Sequence, residues 1–257
     1  EGKYAVVTGA SRGIGLAIAD SLATEGAHVV AAARNTSGEL ARLAAGLPVH
    51  PVRVDLGTAD GPARLVDAVM ARFGALDILV NNVGSVRPRP AGFLSIADED
   101  WMATLTINLL AAIRTTRAAL PHLLARGAGT IVTICSVNAF LPDPLVIDYG
   151  VAKGALANFC KALSKEVGPR GIRVNMVSPG PVATDLWLGK DGVAETVARA
   201  GGIQPDSVAQ RAALDSVTGR FTRPKEVADL VVFLAGDRAA NVTGADFVID
   251  GGMTATL

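Results

Sequence analysis

The sequence predicts an α/β fold, a doubly wound seven-stranded parallel sheet with helices on both faces, formed as one domain over residues 1–257. Three observations predict it. Short β-branched runs alternate with segments of helical period almost from end to end. The runs are continuously apolar, as strands covered on both faces must be. A glycine-rich string follows the first run directly and opens the first helical segment.

The elements follow in order. Tyr4–Thr8 reads as the first strand, and Ile14–Thr24, apolar at i, i+3 and i+4, as the first helix. His28–Ala33 and Val49–Val54 read as the next two strands, with Ala63–Phe73 a helix after them. Leu76–Asn81 is the fourth strand, Trp101–Leu124 a long helix and Thr130–Cys135 the fifth strand. Tyr149–Val167 is helical, Arg173–Val177 a strand, Lys225–Ala235 helical, and Phe247–Ile249 the last strand. Residues 184–222 break the alternation, with helical fragments at Val193–Ala200 and Val208–Val217 but no strand. Such an insertion beyond the C-terminal end of a strand is expected to be a substrate lid; the alternative is a surface excursion that only packs.

Composition narrows the function. Half of the residues are apolar, ample for a large core. Formal net charge is zero and the basic residues are scattered, which argues against nucleic-acid and anionic-membrane partners. No apolar run reaches membrane-span length, and no leader of the secretory type is read at the start. Cys135 and Cys160 lack disulfide or metal-ligand spacing, and His28, His50 and His122 lie far apart, so no metal is expected. The expectation is a reduced, cytoplasmic protein acting on a small molecule.

In VVTGASRGIGLAIA, Gly9, Gly13 and Gly15 permit a tight turn and close approach of backbone to a pyrophosphate at a helix N-terminus. The second strand ends in Ala33 and Arg34, where an NAD site would usually carry Asp or Glu. Arg12 and Arg34 suit a 2′-phosphate instead, so NADP(H) is favoured over NAD(H).

With these motifs and those that follow, the chain resembles the short-chain dehydrogenase/reductase family, in its short single-domain branch, along essentially its whole length. TGASRGIG at 8–15 resembles the family's cofactor loop, which implies contacts from Gly9, Ser11, Arg12, Gly13, Ile14 and Gly15. Asp55, with Leu56 after it, matches the residue that meets the adenine, and NNVG at 81–84 the motif with Asn82 and Gly84. Asn108, Ser136, Tyr149 and Lys153 match the catalytic residues. SPGPVATD resembles the nicotinamide loop, which implies roles for Pro179, Gly180, Val182 and Thr184, and DGG at 250–252 matches the C-terminal signature. The implied fold is a Rossmann fold.

The chemistry suits that spacing. Residues i and i+4 share a helix face, so Tyr149 and Lys153 point together. A lysine ammonium beside a phenol favours loss of the phenol's proton. The resemblance implies that Tyr149 is the general acid/base, Ser136 binds the substrate oxygen and Lys153 holds the nicotinamide ribose. It also implies that Asn108 supports a water leading from Lys153 to solvent. The implied activity is interconversion of a carbonyl and a secondary alcohol; the alternative is a non-catalytic NADP-binding sensor or scaffold.

Substrate is expected against Asn138, Phe140, Leu141, Val146, Leu186 and Trp187, which suits a partly apolar ketone or a 3-oxoacyl thioester. Trp187 has a second reading, as an anchor of the lid. Arg87 and Arg89, in SVRPRPAGF, are either a magnet for an anionic handle on a thioester carrier or simply solvated. The family resemblance implies a homotetramer or dimer through two helices, about Asp98–Leu124 and Tyr149–Val167. Leu156, Phe159 and Leu163 read as surplus apolar residues on the second helix, and the terminal GMTATL as a further contact.

Overall fold

The structure, a computed structural model, describes residues 2–255; the last two residues of GMTATL lie outside it. Seven strands form one parallel sheet in the order β3-β2-β1-β4-β5-β6-β7. They are β1 (Tyr4–Thr8), β2 (His28–Ala33), β3 (Val49–Arg53), β4 (Ile78–Asn81), β5 (Gly129–Ile134), β6 (Ile172–Pro179) and β7 (Asp246–Ile249). The order reverses direction between β1 and β4, which opens a crevice beyond their C-terminal ends.

Alternate residues of each strand feed opposite cores. Ala5 and Val7 pack with α1 (Gly13–Thr24), α2 (Gly38–Gly46) and α10 (Pro224–Ala235) through Ile18, Leu40 and Val231. Val6 packs on the other face with α3 (Gly61–Phe73), α5 (Ala111–Arg126) and α6 (Ile147–Val167) through Leu65, Leu123 and Leu156. Leu156 and Leu163 are therefore core residues, and the expectation that they are surplus surface is corrected. Among the described residues, no helix is long and apolar enough to cross a membrane.

Two elements depart from the sequence reading. The helix α2 was not expected; it is capped by the Ser37 hydroxyl, which accepts from the Leu40 N–H at 3.0 Å. The long helix expected at Trp101–Leu124 is interrupted. It runs as α4 (Asp98–Leu105), a wider π turn (Thr106–Leu110) and then α5. The π turn contains Asn108, which it leaves 1% exposed.

Between β6 and β7 lie α7 (Asp185–Leu188), α8 (Val193–Gly201) and α9 (Pro205–Leu214). The two stems of this excursion meet in a short parallel bridge, Val182 to Thr222. Ala183 N–H donates to the Thr222 carbonyl at 2.9 Å, and Thr222 N–H to that of Pro181 at 3.0 Å.

The helix α10 backs α1, and Glu226 secures its start. The carboxylate accepts from Arg220 (2.9 Å), from the Arg223 N–H (2.7 Å) and from the Arg223 guanidinium (2.9 Å). Arg220 first, then Arg223, hold Glu226 at about 2, below an ordinary 4.5. A depressed carboxyl stabilises the fold above its unfolded value and loses that contribution as pH falls to its folded value. Glu226→Gln should thus melt below wild type at pH 7, with the gap closing between about pH 4.5 and 2. Melting curves across that range check it.

Candidate active site

The glycine string turns between β1 and α1. Gly9 and Gly13 have φ of 66° and 58°, in the left-handed region that favours glycine. Gly15 is fixed by space instead: a Cβ there would stand 2.3 Å from the Gly9 carbonyl oxygen and 2.4 Å from Asn82 Nδ2. The buried Thr8 hydroxyl accepts from the N–H groups of Asn82 (2.8 Å) and Val83 (3.0 Å). Asn82 Nδ2 donates back to the carbonyls of Thr8 (2.8 Å) and Gly9 (3.2 Å).

Above this junction lies a cleft of about 770 Å³. Gly9, Arg12, Gly13, Ile14 and Gly15 line it, as do Asn82, Gly84, Pro179, Gly180, Val182 and Thr184. Ser11, Arg34, Asp55 and Leu56 stand outside that lining. Arg34 is exposed just past β2. Asp55 Oδ1 accepts from the Gly57 N–H at 2.9 Å. The Leu56 side chain is buried in the core. The glycine turn at a helix N-terminus, the cleft volume and Arg12 in its lining fit a dinucleotide phosphate. Among the described residues, no cluster of His, Cys, Asp and Glu could hold a metal ion. Burial pushes both thiols up, Cys160 to about 11, so neither is primed as a nucleophile.

Tyr149 and Lys153 stand one turn apart on α6, with Lys153 Nζ 5.6 Å from the centre of the Tyr149 ring. Lys153 is 3% exposed and donates to the Ile134 carbonyl at 2.8 Å, which ties α6 to the end of β5. Ser136 follows β5. Its hydroxyl donates to Asn138 Oδ1 at 3.3 Å and accepts from the Asn138 N–H at 3.2 Å. Asn108 does not line the cleft. Its amide accepts from the Ser85 N–H (3.0 Å) and donates to the carbonyls of Ser85 (2.9 Å) and Thr104 (3.0 Å). Gly84 makes the room: a Cβ there would stand 2.9 Å from Asn108 Oδ1 and 3.7 Å from Lys153 Nζ.

Of the expected substrate residues, Asn138, Leu141, Val146, Leu186 and Trp187 line the cleft. Phe140 does not; it follows the 3-10 turn at Val137–Ala139 and is 43% exposed. Trp187 lines the cleft and packs edge-on to Phe221, centroids 5.4 Å apart, a contact within the excursion itself. Arg211 and Met253 also line the cleft, and nothing in the local sequence pattern marks them.

Neither arginine of SVRPRPAGF is free in the way expected. Arg87, exposed, pairs with Asp100 at 3.2 Å. Arg89 is buried and pairs with Asp148 at 2.6 Å and Asp100 at 3.2 Å. Both the anion-magnet and the solvated readings of Arg89 are thereby corrected, because folding sets two carboxylates against it.

A family profile described as enoyl-(acyl carrier protein) reductase matches residues 9–254. D-threitol dehydrogenase of Mycolicibacterium smegmatis is 38% identical, over 99% of this chain and 94% of that protein. The chain belongs to the short-chain dehydrogenase/reductase family. As a member it is an oxidoreductase. The 3-oxoacyl-(acyl-carrier-protein) reductase of Escherichia coli is another relative, 36% identical with 98% of each chain covered. The crystal structure of L-sorbose reductase from Gluconobacter frateurii, complexed with NADPH and L-sorbose, superimposes with a TM-score of 0.91. It is 37% identical and covers all of this chain and 98% of its own.

Gly15→Ala tests the cofactor turn of this family member. Overpacking should cost about 1–3 kcal/mol, seen as a lower midpoint in denaturant. Fluorescence titration should find NADPH bound at least tenfold more weakly than by wild type.

Proposed function

We propose that the chain is an NADP(H)-dependent reductase that interconverts a carbonyl and a secondary alcohol, with Tyr149 as general acid/base. The observation that carries this reading is one cleft lined both by the glycine turn and by Ser136, Tyr149 and Lys153. Arg12 and Arg34 would hold the 2′-phosphate, with no carboxylate at the end of β2 to repel it. Pro179, Gly180, Val182 and Thr184 would hold the nicotinamide end, and Lys153 its ribose. When bound, NADPH supplies the hydride.

The residues of the chain do the rest. Ser136 turns its hydroxyl from Asn138 to the substrate's carbonyl oxygen and orients the carbonyl. Tyr149 gives its phenolic proton to that oxygen as the alcohol forms, and takes it back in the oxidative direction. Lys153, fixed by Ile134, stands 5.6 Å from the centre of the Tyr149 ring, beside the phenol that gives up the proton. Asn108 holds the backbone of Ser85 beside that lysine and supports the relay of protons from solvent.

Residues 184–222 act as the lid in this reading, with Leu186 and Trp187 as its apolar inner face. The mixed lining, Asn138 and Arg211 against Leu141, Val146 and Trp187, supports a partly apolar ketone with polar substituents. Threitol, sorbose and 3-oxoacyl-(acyl-carrier-protein) appear in the names of similar proteins; the last two are already ketones, and the ketotetrose formed by oxidation of threitol joins them as a compound to test. Assembly through α4, α5 and α6 is supported by exposed Met102 and Val151.

NADPH oxidation at 340 nm over acetoacetyl thioester, L-sorbose, a ketotetrose, a cyclic ketone and a diketone tests the reading. One or more should be reduced, with Tyr149→Phe lowering kcat by about 10²-fold or more. Full turnover in that variant, or NADPH binding without turnover of any compound, would overturn it. In a separate test, Arg12→Ala with Arg34→Ala should raise KM for NADPH about 10- to 100-fold and leave NADH unchanged.

A further inference from the structure

Tyr149 stands in the first turn of α6, where backbone N–H groups have no partner within the helix and the chain frays most readily. Lys153, a turn further in, is secured to β5. What secures the tyrosine is a buried cluster centred on its neighbour. Asp148 is 1% exposed, and its Oδ2 accepts from Arg89 Nη2 (2.6 Å), Arg89 Nε (3.2 Å) and the Thr104 hydroxyl (2.8 Å). Its Oδ1 accepts from the N–H of Tyr149 itself at 3.1 Å. Arg89 also donates its backbone N–H to the Leu145 carbonyl at 2.7 Å, so it holds the approach to the helix as well as the first turn.

The same cluster reaches Asn108. Thr104 donates its hydroxyl to Asp148 and offers its carbonyl to Asn108 Nδ2 at 3.0 Å. The loop that carries Arg89 begins with Gly84 and Ser85, and Ser85 is held by Asn108 on both its N–H and its carbonyl. Tyr149 and Asn108 are thus positioned by a closed circuit through Asp148, Thr104 and the Arg89 loop.

We infer that Arg89 is a positioning residue for the reaction, acting through Asp148 to fix Tyr149 and through Thr104 to fix Asn108. This rests on the reductase reading above. A buried ion pair gains little net stability, because desolvation offsets its attraction, so fixed geometry is what this one supplies. The pair stays charged: burial pushes the Asp148 carboxyl up, but hydrogen bonds from Arg89 and Thr104 more than reverse this, leaving it below the ordinary range.

Steady-state kinetics with NADPH and the panel compound that wild type reduces fastest test the inference. Arg89→Ala strands a buried carboxylate and is expected to lower the melting temperature as well as kcat. The deciding variant is the double replacement Arg89→Met with Asp148→Asn, which removes both charges and keeps the volume. It should melt within a few degrees of wild type and bind NADPH within twofold, while kcat stays at least tenfold down and substrate KM barely moves. If kcat recovers together with stability, or the double variant fails to fold, the cluster is structural only and the inference is overturned. Tyr149→Phe, assayed beside it, separates the two failures. An inactive Tyr149→Phe with a fully active double variant removes the positioning role alone, whereas an active Tyr149→Phe removes the reductase reading and the inference with it.

Discussion

The cleft depends on the way β1 and β4 end. At a topological switch point two neighbouring parallel strands send their connections to opposite faces, and the backbone beyond them has no ladder partner. Here a single buried hydroxyl, Thr8, receives two of those N–H groups, and Asn82 returns hydrogen bonds to two carbonyls. These hydrogen bonds tie the ends of β1 and β4 together at the base of the crevice. Gly15 completes the arrangement by letting α1 begin in van der Waals contact with that junction. A glycine turn opening a helix at this point follows from backbone accounting before any cofactor is considered.

Chemistry is then added from the next strand. Ser136 and Lys153 are both referred to the end of β5, one by chain connection and one by the Ile134 carbonyl. The second tyrosine of the chain shows what position contributes. Tyr4 lies at the opposite end of the sheet, stacked on Phe73 with centroids 4.9 Å apart and on His28 at 5.6 Å. Of two phenols in one domain-sized chain, only Tyr149 shares a cleft with a buried lysine.

Much of this was legible in the sequence because strands and helices differ in period. All seven strands fall within a few residues of their expected places, since each is a bounded apolar run. The helix α2 was missed because GELARLAAG is short and rich in small residues, so its apolar face is thin. The π turn was invisible because one extra residue shifts the phase of an apolar pattern no more than ordinary noise does. The burial of Arg89 is hidden from the sequence for a different reason. Its buried partner Asp148 lies 59 residues away, and no local pattern reports a pairing that only the folded topology creates. Nor do sequence neighbours report side-chain direction: packing sends Leu56 inward and leaves Phe140 partly exposed.

The bridge between Val182 and Thr222 has an evolutionary consequence. Because the excursion leaves and rejoins the body of the protein through adjacent, hydrogen-bonded residues, its two attachment points occupy one small footprint. Segments of different length and composition can be closed over such a footprint at a cost that grows only slowly with length. The enclosed stretch can therefore change in length and composition while the sheet it springs from keeps its geometry.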